Sequence, residues 1–248
     1  MLNKNCKFVI EYIYNKVKLF NMKTIAIIGG SSGIGKSLVN IEKDRNKVVM
    51  IQRNASGIIS DNVTEYLVDV LNEELPDLES LDTLVYCPGS INLKPFSRLT
   101  EEDFKNDHEI NVLGAIRVLQ KYLPLLKKGT SPSVLLFSTV AVKMGMPFHA
   151  SISAAKGAVE GLMKSLAAEY APKIRFNAIA PTLTNTRLAE KILRNDKLKD
   201  LSADRHPLKR YLEPDEVAEM ASFIISDKGS ALSGQIIEMD CGIVNLKI

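Results

Sequence analysis

The chain has 248 residues, 46% apolar and 25% charged, with a formal charge of +3. This is ordinary globular composition, sufficient for one large domain with a two-sided core, and it excludes a disordered or fibrous chain. The charge is uneven: residues 1–23 carry five lysines against Glu11, so the rest is slightly acidic and shows no nucleic-acid footprint.

Residues 1–21 read as a basic N-terminal extension. Val9, Ile13, Val17 and Phe20 fall at helical spacing, which predicts a short amphipathic helix outside the core. The apolar stretch 8–19 is interrupted by Glu11, Asn15, Lys16 and Lys18, so it makes a poor signal peptide. Met22 stands directly before the first predicted strand and is an alternative start. No apolar run approaches the roughly 20 residues of a membrane span, so no membrane attachment is expected.

From residue 22 onward, short apolar runs alternate with longer helical patterns. Strands are predicted at 24–28, 48–51, 65–68, 83–87, 134–138, 175–180 and 235–238. Runs such as Ile25-Ala26-Ile27-Ile28 and Val134-Leu135-Leu136-Phe137 suit strands buried on both faces of a parallel sheet. Helices are predicted at 34–43, 101–127, 153–170, 187–193 and 215–225. Thr100 caps the second, with Glu101, Glu102 and Asp103 in its first turn; Pro214 precedes the last. The alternation predicts a single α/β domain over 22–248, a doubly wound Rossmann-type sheet of about seven strands with helices on both faces.

The strongest local signal is Gly29-Gly30-Ser31-Ser32-Gly33-Ile34-Gly35, which follows the first strand and opens a helix. A tight turn without β-carbons lets backbone approach a pyrophosphate, and a helix N-terminus offers unpaired N–H groups and partial positive charge. Ser31 and Ser32 add hydroxyl donors. The spacing Gly29-x-x-x-Gly33-x-Gly35 differs from the G-x-G-x-x-G form of common dinucleotide folds.

That spacing resembles the short-chain dehydrogenase/reductase family, and the likeness runs from Lys23 to Gly242. Asp69-Val70 looks like the pair which that family places against the adenine. Tyr86-Cys87-Pro88-Gly89 sits where the family usually has Asn-Asn-Ala-Gly, with only Gly89 kept. Asn111 matches the family's helix asparagine. Asn177-Ala178-Ile179-Ala180-Pro181 matches the segment before the nicotinamide loop, with Thr182 where Gly is usual. Thr186 falls where a Thr holds the carboxamide, and Asp240-Cys241-Gly242 resembles the closing Asp-Gly-Gly. The resemblance implies a nicotinamide cofactor with its phosphates on 29–35 and with Gly89, Pro181 and Thr186 along it. The second strand ends Ile51-Gln52-Arg53-Asn54, with no acid to bond a ribose 2′-hydroxyl. Arg53 suits a 2′-phosphate, which favours NADP over NAD.

The family's chemistry needs a Tyr four residues before a Lys, one helical turn apart on the same face. The Lys holds the nicotinamide ribose and lowers the Tyr pKa. Lys156 matches the lysine, but the tyrosine position is Ile152; counting back to the serine position gives Thr139, which keeps a hydroxyl. This marks a divergent member, and three readings stay open. One is a reductase with another acid, for which His149, seven residues before Lys156, is the candidate; Ser151 and Ser153 are weaker ones. The second is reduction of an activated C=C bond, with Thr139, Lys156 and water stabilising the enolate. The third is a binding protein that senses NADP(H) or serves as a structural partner. Retention of Thr139 and Asn111, which have no cofactor-only duty, favours an oxidoreductase acting on a small molecule.

The predicted helix 153–170 carries small residues at Gly157, Ala158, Gly161, Ser165 and Ala168. The helix 101–127 offers Ile110, Leu113, Ile116, Val118, Leu119 and Leu123. Relatives pair these helices in dimers or tetramers, so the resemblance implies a homo-oligomer; the same stripes also suit simple packing on the sheet. Three scattered cysteines and three histidines lack disulfide or metal spacing, so no metal is expected and a cytoplasmic location is.

Overall fold

The computed structural model describes residues 22–247. The basic extension 1–21 lies outside the described residues. In chain order the elements are β1 (Thr24–Ile28), α1 (Gly33–Glu42), β2 (Lys47–Gln52), β3 (Val63–Leu67) and β4 (Thr83–Tyr86). Then come α2 (Glu101–His108), a π-helical turn (Glu109–Leu113), α3 (Gly114–Leu126), β5 (Ser133–Phe137), α4 (Ala141–Met144) and α5 (Ala150–Tyr170). The chain closes with β6 (Arg175–Pro181), α6 (Asp196–Asp204), α7 (Pro214–Ile225) and β7 (Ile236–Met239).

All seven strands are parallel, in the order β3-β2-β1-β4-β5-β6-β7. The continuous apolar runs at β1, β4 and β5 became strands covered on both faces, with β4 and β5 buried at every position, whereas the edge strand β3 is largely exposed. On one face, Val118, Tyr122 and Leu126 of α3 and Val159 and Met163 of α5 pack on Leu84, Val134 and Phe176. On the other face, Leu38 and Val39 of α1 and Val217, Ala221 and Ile224 of α7 pack on Ile25, Ile27 and Leu135. Strand order reverses between β1 and β4, which opens a crevice at their carboxyl ends, where such sheets hold ligands.

Helix ends follow local chemistry. Thr100 and Asp103 form a reciprocal capping box at α2, and Glu213 and Glu216 form another at α7, whose first residue is Pro214. Two predicted helices differ from the structure. The span 101–127 is not one helix: the π turn at Glu109–Leu113 winds in an extra residue and separates α2 from α3. The span 187–193 is not a regular helix either. It holds a single 3₁₀ turn, Arg187–Ala189, and the helix starts later, where the Asn195 side chain accepts from the Leu198 N–H to cap α6. Of the apolar residues considered for a helix pairing, Val118 and Leu119 are buried in the core, whereas Leu113 is exposed.

Candidate active site

The loop after β1 builds an anion cradle from backbone. Gly29 N–H donates to the Ile51 carbonyl at 2.9 Å, which ties the loop to β2. Gly33 has φ +54°, the left-handed region that a side chain would strain, and a β-carbon on Gly35 would collide with the Gly29 carbonyl. Ser32 is the N-cap of α1, its side chain makes no capping bond, and the first turn has no acidic residue. The opening N–H groups of α1 and the hydroxyls of Ser31 and Ser32 therefore face a site of positive potential. Ile34 anchors the helix start against the core beneath. Beside the cradle lies an open cavity of about 710 Å³, lined by Ser32, Gly33, Lys36, Thr186, Arg187 and Arg194 among others. Thr186 closes over Gly33, its methyl 3.2 Å from where a β-carbon on Gly33 would lie. Thr139 and Lys156 are not among the residues that line it.

At the end of β2, Arg53 is exposed and makes no salt bridge among the described residues. Its neighbour Gln52 is buried and donates through Nε2 to Glu65, which also accepts the Ser56 N–H at 2.8 Å. Both bonds go to Glu65 Oε1. Asp69 shapes the turn after β3: its carboxylate accepts the Leu71 N–H at 3.1 Å and the Asn72 amide at 3.0 Å. The Leu71 N–H, foremost, holds the Asp69 carboxyl below its usual pKa. Val70 is buried in the core.

At the other end, α5 packs against α2, the π turn and the neighbouring strands β5 and β6. Lys156 is 8% exposed, and its ammonium donates to the Phe137 carbonyl at 2.8 Å. Burial lowers its pKa to about 8, with the charges of Cys87 and Asp107 pulling it back up. Cys87, at the end of β4, has its thiol pushed up to about 12 by burial, partly offset by Lys156. Asn111 is 1% exposed and sits in the π turn. A β-carbon on Gly89 would lie 3.3 Å from Asn111 Oδ1 and 3.7 Å from Lys156 Nζ, so Gly89, Asn111 and Lys156 form one corner.

Thr139 is half-buried just beyond β5. Its hydroxyl accepts the Ala141 N–H at 3.3 Å, which leaves the O–H to donate. The adjacent Ser138 is committed elsewhere, donating to Glu160 at 2.5 Å. Ile152 is 5% exposed, one turn before Lys156 on α5, and has no proton to give. His149 is the N-cap of α5; its Nδ1 lies 2.7 Å from the Pro147 carbonyl, an acceptor, so Nδ1 carries the proton and Nε2 has no partner among the described residues. Of the two serines weighed with it, Ser151 is buried with no partner for Oγ among the described residues, and Ser153 donates to the Ala141 carbonyl. Pro181 ends β6, its carbonyl accepting the Val140 N–H.

The sequence reading assigned no role to several residues here. Asp107 is 2% exposed and accepts the Ser90 hydroxyl at 2.5 Å, and Ser90 in turn accepts from Asn111. Tyr86, in the Asn-Asn-Ala-Gly position, donates to the Ile110 carbonyl at 2.7 Å, inside the π turn. Thr182, where a Gly is usual, bonds His206 Nε2 at 2.8 Å, and His206 Nδ1 donates to the Ser202 carbonyl. Asp107 lay four residues before Asn111, one helical turn, and that spacing was the available signal. The Thr182–His206 pair is separated by a 3₁₀ turn and α6 and left none.

Comparison with known proteins agrees with this geometry. A family model described as enoyl-(acyl carrier protein) reductase matches residues 42–244. A 3-oxoacyl-(acyl-carrier-protein) reductase of Thermotoga maritima is 28% identical over 242 residues, covering 90% of this chain and 98% of its own. A tropinone reductase homolog of Arabidopsis thaliana is 31% identical over 241 residues, covering 89% of this chain and 78% of its own. Among solved structures, a 3-ketoacyl-(acyl-carrier-protein) reductase of Brucella melitensis, complexed with NADH, superposes with a TM-score of 0.78 at 25% identity, covering 90% and 98% of the two chains. Aldohexose dehydrogenase of Thermoplasma acidophilum shares the fold with a TM-score of 0.83 at 24% identity, covering 93% and 98%. The seven-stranded parallel sheet, the glycine cradle after β1 and a family match across most of the sequence converge on one conclusion: the chain belongs to the short-chain dehydrogenase/reductase family of oxidoreductases.

Proposed function

We propose that the chain is an NADP(H)-dependent reductase of divergent type, acting on a small substrate with an activated C=C bond or carbonyl. The observation that carries this reading is the Gly89–Asn111–Lys156 corner, set beside Thr139 at the carboxyl ends of β4 and β5. A cofactor-binding protein without chemistry has no need of Thr139 and Asn111 there. The glycine cradle fits a pyrophosphate, since its glycines allow a tight turn where β-carbons would meet Pro88, Met50, Thr186 and the Gly29 carbonyl, and the opening N–H groups of α1 carry no side-chain cap. Arg53 would pair with a 2′-phosphate.

A nicotinamide, when bound, supplies the hydride. The chain's own residues do the rest. Lys156 would hold the ribose with the donors that Phe137 leaves free, and Thr139 would donate to the substrate oxygen on which charge develops. Ile152 occupies the position where the family carries its tyrosine, so the reaction runs without that acid. Conjugate reduction suits this arrangement because its enolate needs charge stabilisation more than a strong proton donor. His149, with Nε2 unengaged among the described residues, is the candidate for delivering the final proton. The exposed face of α5 at Gly161, where no atom lies within 4 Å of an added β-carbon, suits close approach of a second copy and hence a homodimer or homotetramer.

The test is calorimetric titration with NADPH and NADH, followed by turnover on ketones, enones and enoyl thioesters. NADPH is expected to bind more tightly and to be oxidised in the presence of an enone or enoyl thioester. Tight binding without oxidation by any of these would replace the reductase with a sensor. No heat with either nucleotide would end both readings.

A further inference from the structure

We propose that Asp107 and Ser90 are positioning residues that fix the Asn111 amide with its oxygen, not its nitrogen, toward Lys156. The inference deepens the reading of the Asn111–Lys156 corner and rests on it. The starting point is a carboxylate that can only accept. Asp107 Oδ1 takes the Ser90 proton at 2.5 Å, so the Ser90 oxygen must accept its own bond, and it does so from Asn111 Nδ2 at 2.9 Å. The second N–H of that amide goes to the Asp107 backbone carbonyl at 2.7 Å, another group that only accepts. Both amide protons are thereby used, and the direction of every bond follows from the carboxylate.

What remains is Asn111 Oδ1, which is buried without a partner among the described residues. It lines the corner with Lys156 Nζ, both within 4 Å of the place a Gly89 β-carbon would take. A buried acceptor left open beside a buried ammonium favours the charged lysine; the reverse orientation would aim two N–H groups at it. The titratable groups that face Lys156 are Cys87 from β4 and Asp107 from α2, with the Phe137 carbonyl completing its surroundings. Asp107 Oδ2 is likewise buried and open among the described residues.

The experiment is a 13Cε-lysine NMR titration of the full chain without nucleotide, with Lys156 assigned by its loss in Lys156→Arg. Ser90→Ala keeps the Asp107 charge but cuts the link to Asn111, and the Lys156 midpoint is expected to fall by about half a unit or more. Ser90→Thr keeps the hydroxyl and is expected to restore the original midpoint. Asp107→Asn should shift it further, because it removes the charge as well as the orientation. Ser90→Gly guards against a local misfit of the alanine. An unchanged midpoint in whichever of Ser90→Ala and Ser90→Gly folds would overturn the proposal, as would a Ser90→Thr midpoint that follows the alanine. Nucleotide titration of the unaltered protein separates the two failures, because lost binding there sinks the functional reading whatever the lysine does.

Discussion

The hydroxyl of Tyr86 fills the space that a side chain at position 114 would need. It donates to the Ile110 carbonyl, and a β-carbon on Gly114 would overlap it and press on Leu71 as well. Burial also pushes the Tyr86 pKa up, so the phenol stays a donor across the ordinary pH range. Tyr86→Phe should therefore destabilise the fold by about 1–3 kcal/mol, the cost of leaving a buried carbonyl without its partner. Gly114→Ala should cost about as much or more through overpacking. The two changes should be strongly non-additive, because Tyr86→Phe removes the oxygen that the new alanine meets first. Chemical denaturation of the two single variants and the double variant measures this, and simple additivity would show that the two residues do not share the space.

Arg53 is the test of cofactor choice. Arg53→Ala should weaken NADPH binding by roughly 10- to 100-fold, the range of one charge-assisted contact, and leave NADH nearly unchanged. Equal losses for both nucleotides would mean that Arg53 reads something other than the 2′-phosphate.

Lys156 makes stability depend on pH in a direction that can be stated. Its folded pKa is near 8, against 10.5 in the unfolded chain. Above pH 8 the unfolded state holds more protons than the folded one, so stability rises with pH. Cys87 acts the other way above pH 9, since its thiol titrates at about 12 when folded and at 9.0 when not. The clean window is therefore pH 8 to 9, where the gain is at most about 1.4 kcal/mol. Lys156→Met should flatten that slope in a denaturation series and abolish nucleotide binding. A slope that survives the substitution would assign it to another group.

Ile152→Tyr restores a proton donor one turn before Lys156. If the chain reduces carbonyls at a residual rate, the substitution should raise that rate by about 10²- to 10⁴-fold, the usual worth of a general acid. Enone reduction should gain less, since it depends less on the acid. A gain on enones as large as that on ketones would count against conjugate reduction as the native reaction. His149→Ala is the companion: unchanged turnover would remove that imidazole as the acid.

Gly161→Arg tests association. The arginine has room on an isolated chain, since nothing described lies within 4 Å of its β-carbon. Light scattering should then report a smaller assembly with an unchanged melting profile for the separated chains. An unaltered mass would place any interface elsewhere.

The fold was legible in the sequence because parallel strands covered on both faces are written as unbroken apolar runs, and β1, β4 and β5 are such runs. The cradle was legible because its glycines are required by sterics at fixed spacing. The polar interior was not. Asp107 and Ser90 are seventeen residues apart and meet only after β4 and α2 have packed. The break in the 101–127 helix was hidden for a related reason: no Pro or Gly interrupts Glu109–Leu113, and the partner that takes up the Ile110 carbonyl is Tyr86, on another element. At Arg187–Ala189 periodicity alone suggested a regular helix where the chain makes a 3₁₀ turn, because the cap at Asn195 places the helix start further on.

One extra residue wound into the helix between Asp107 and Val118 separates two duties that a uniform helix would have to reconcile. Each residue of an α-helix turns its face by about 100°, so deleting one position in Glu109–Leu113 would rotate everything downstream by that amount. Val118, Tyr122 and Leu126 would swing off the sheet if Asn111 kept its station, or Asn111 would leave the cleft if they held theirs. The irregular turn lets the upstream half be tuned for reactivity and the downstream half for cohesion, each without disturbing the other.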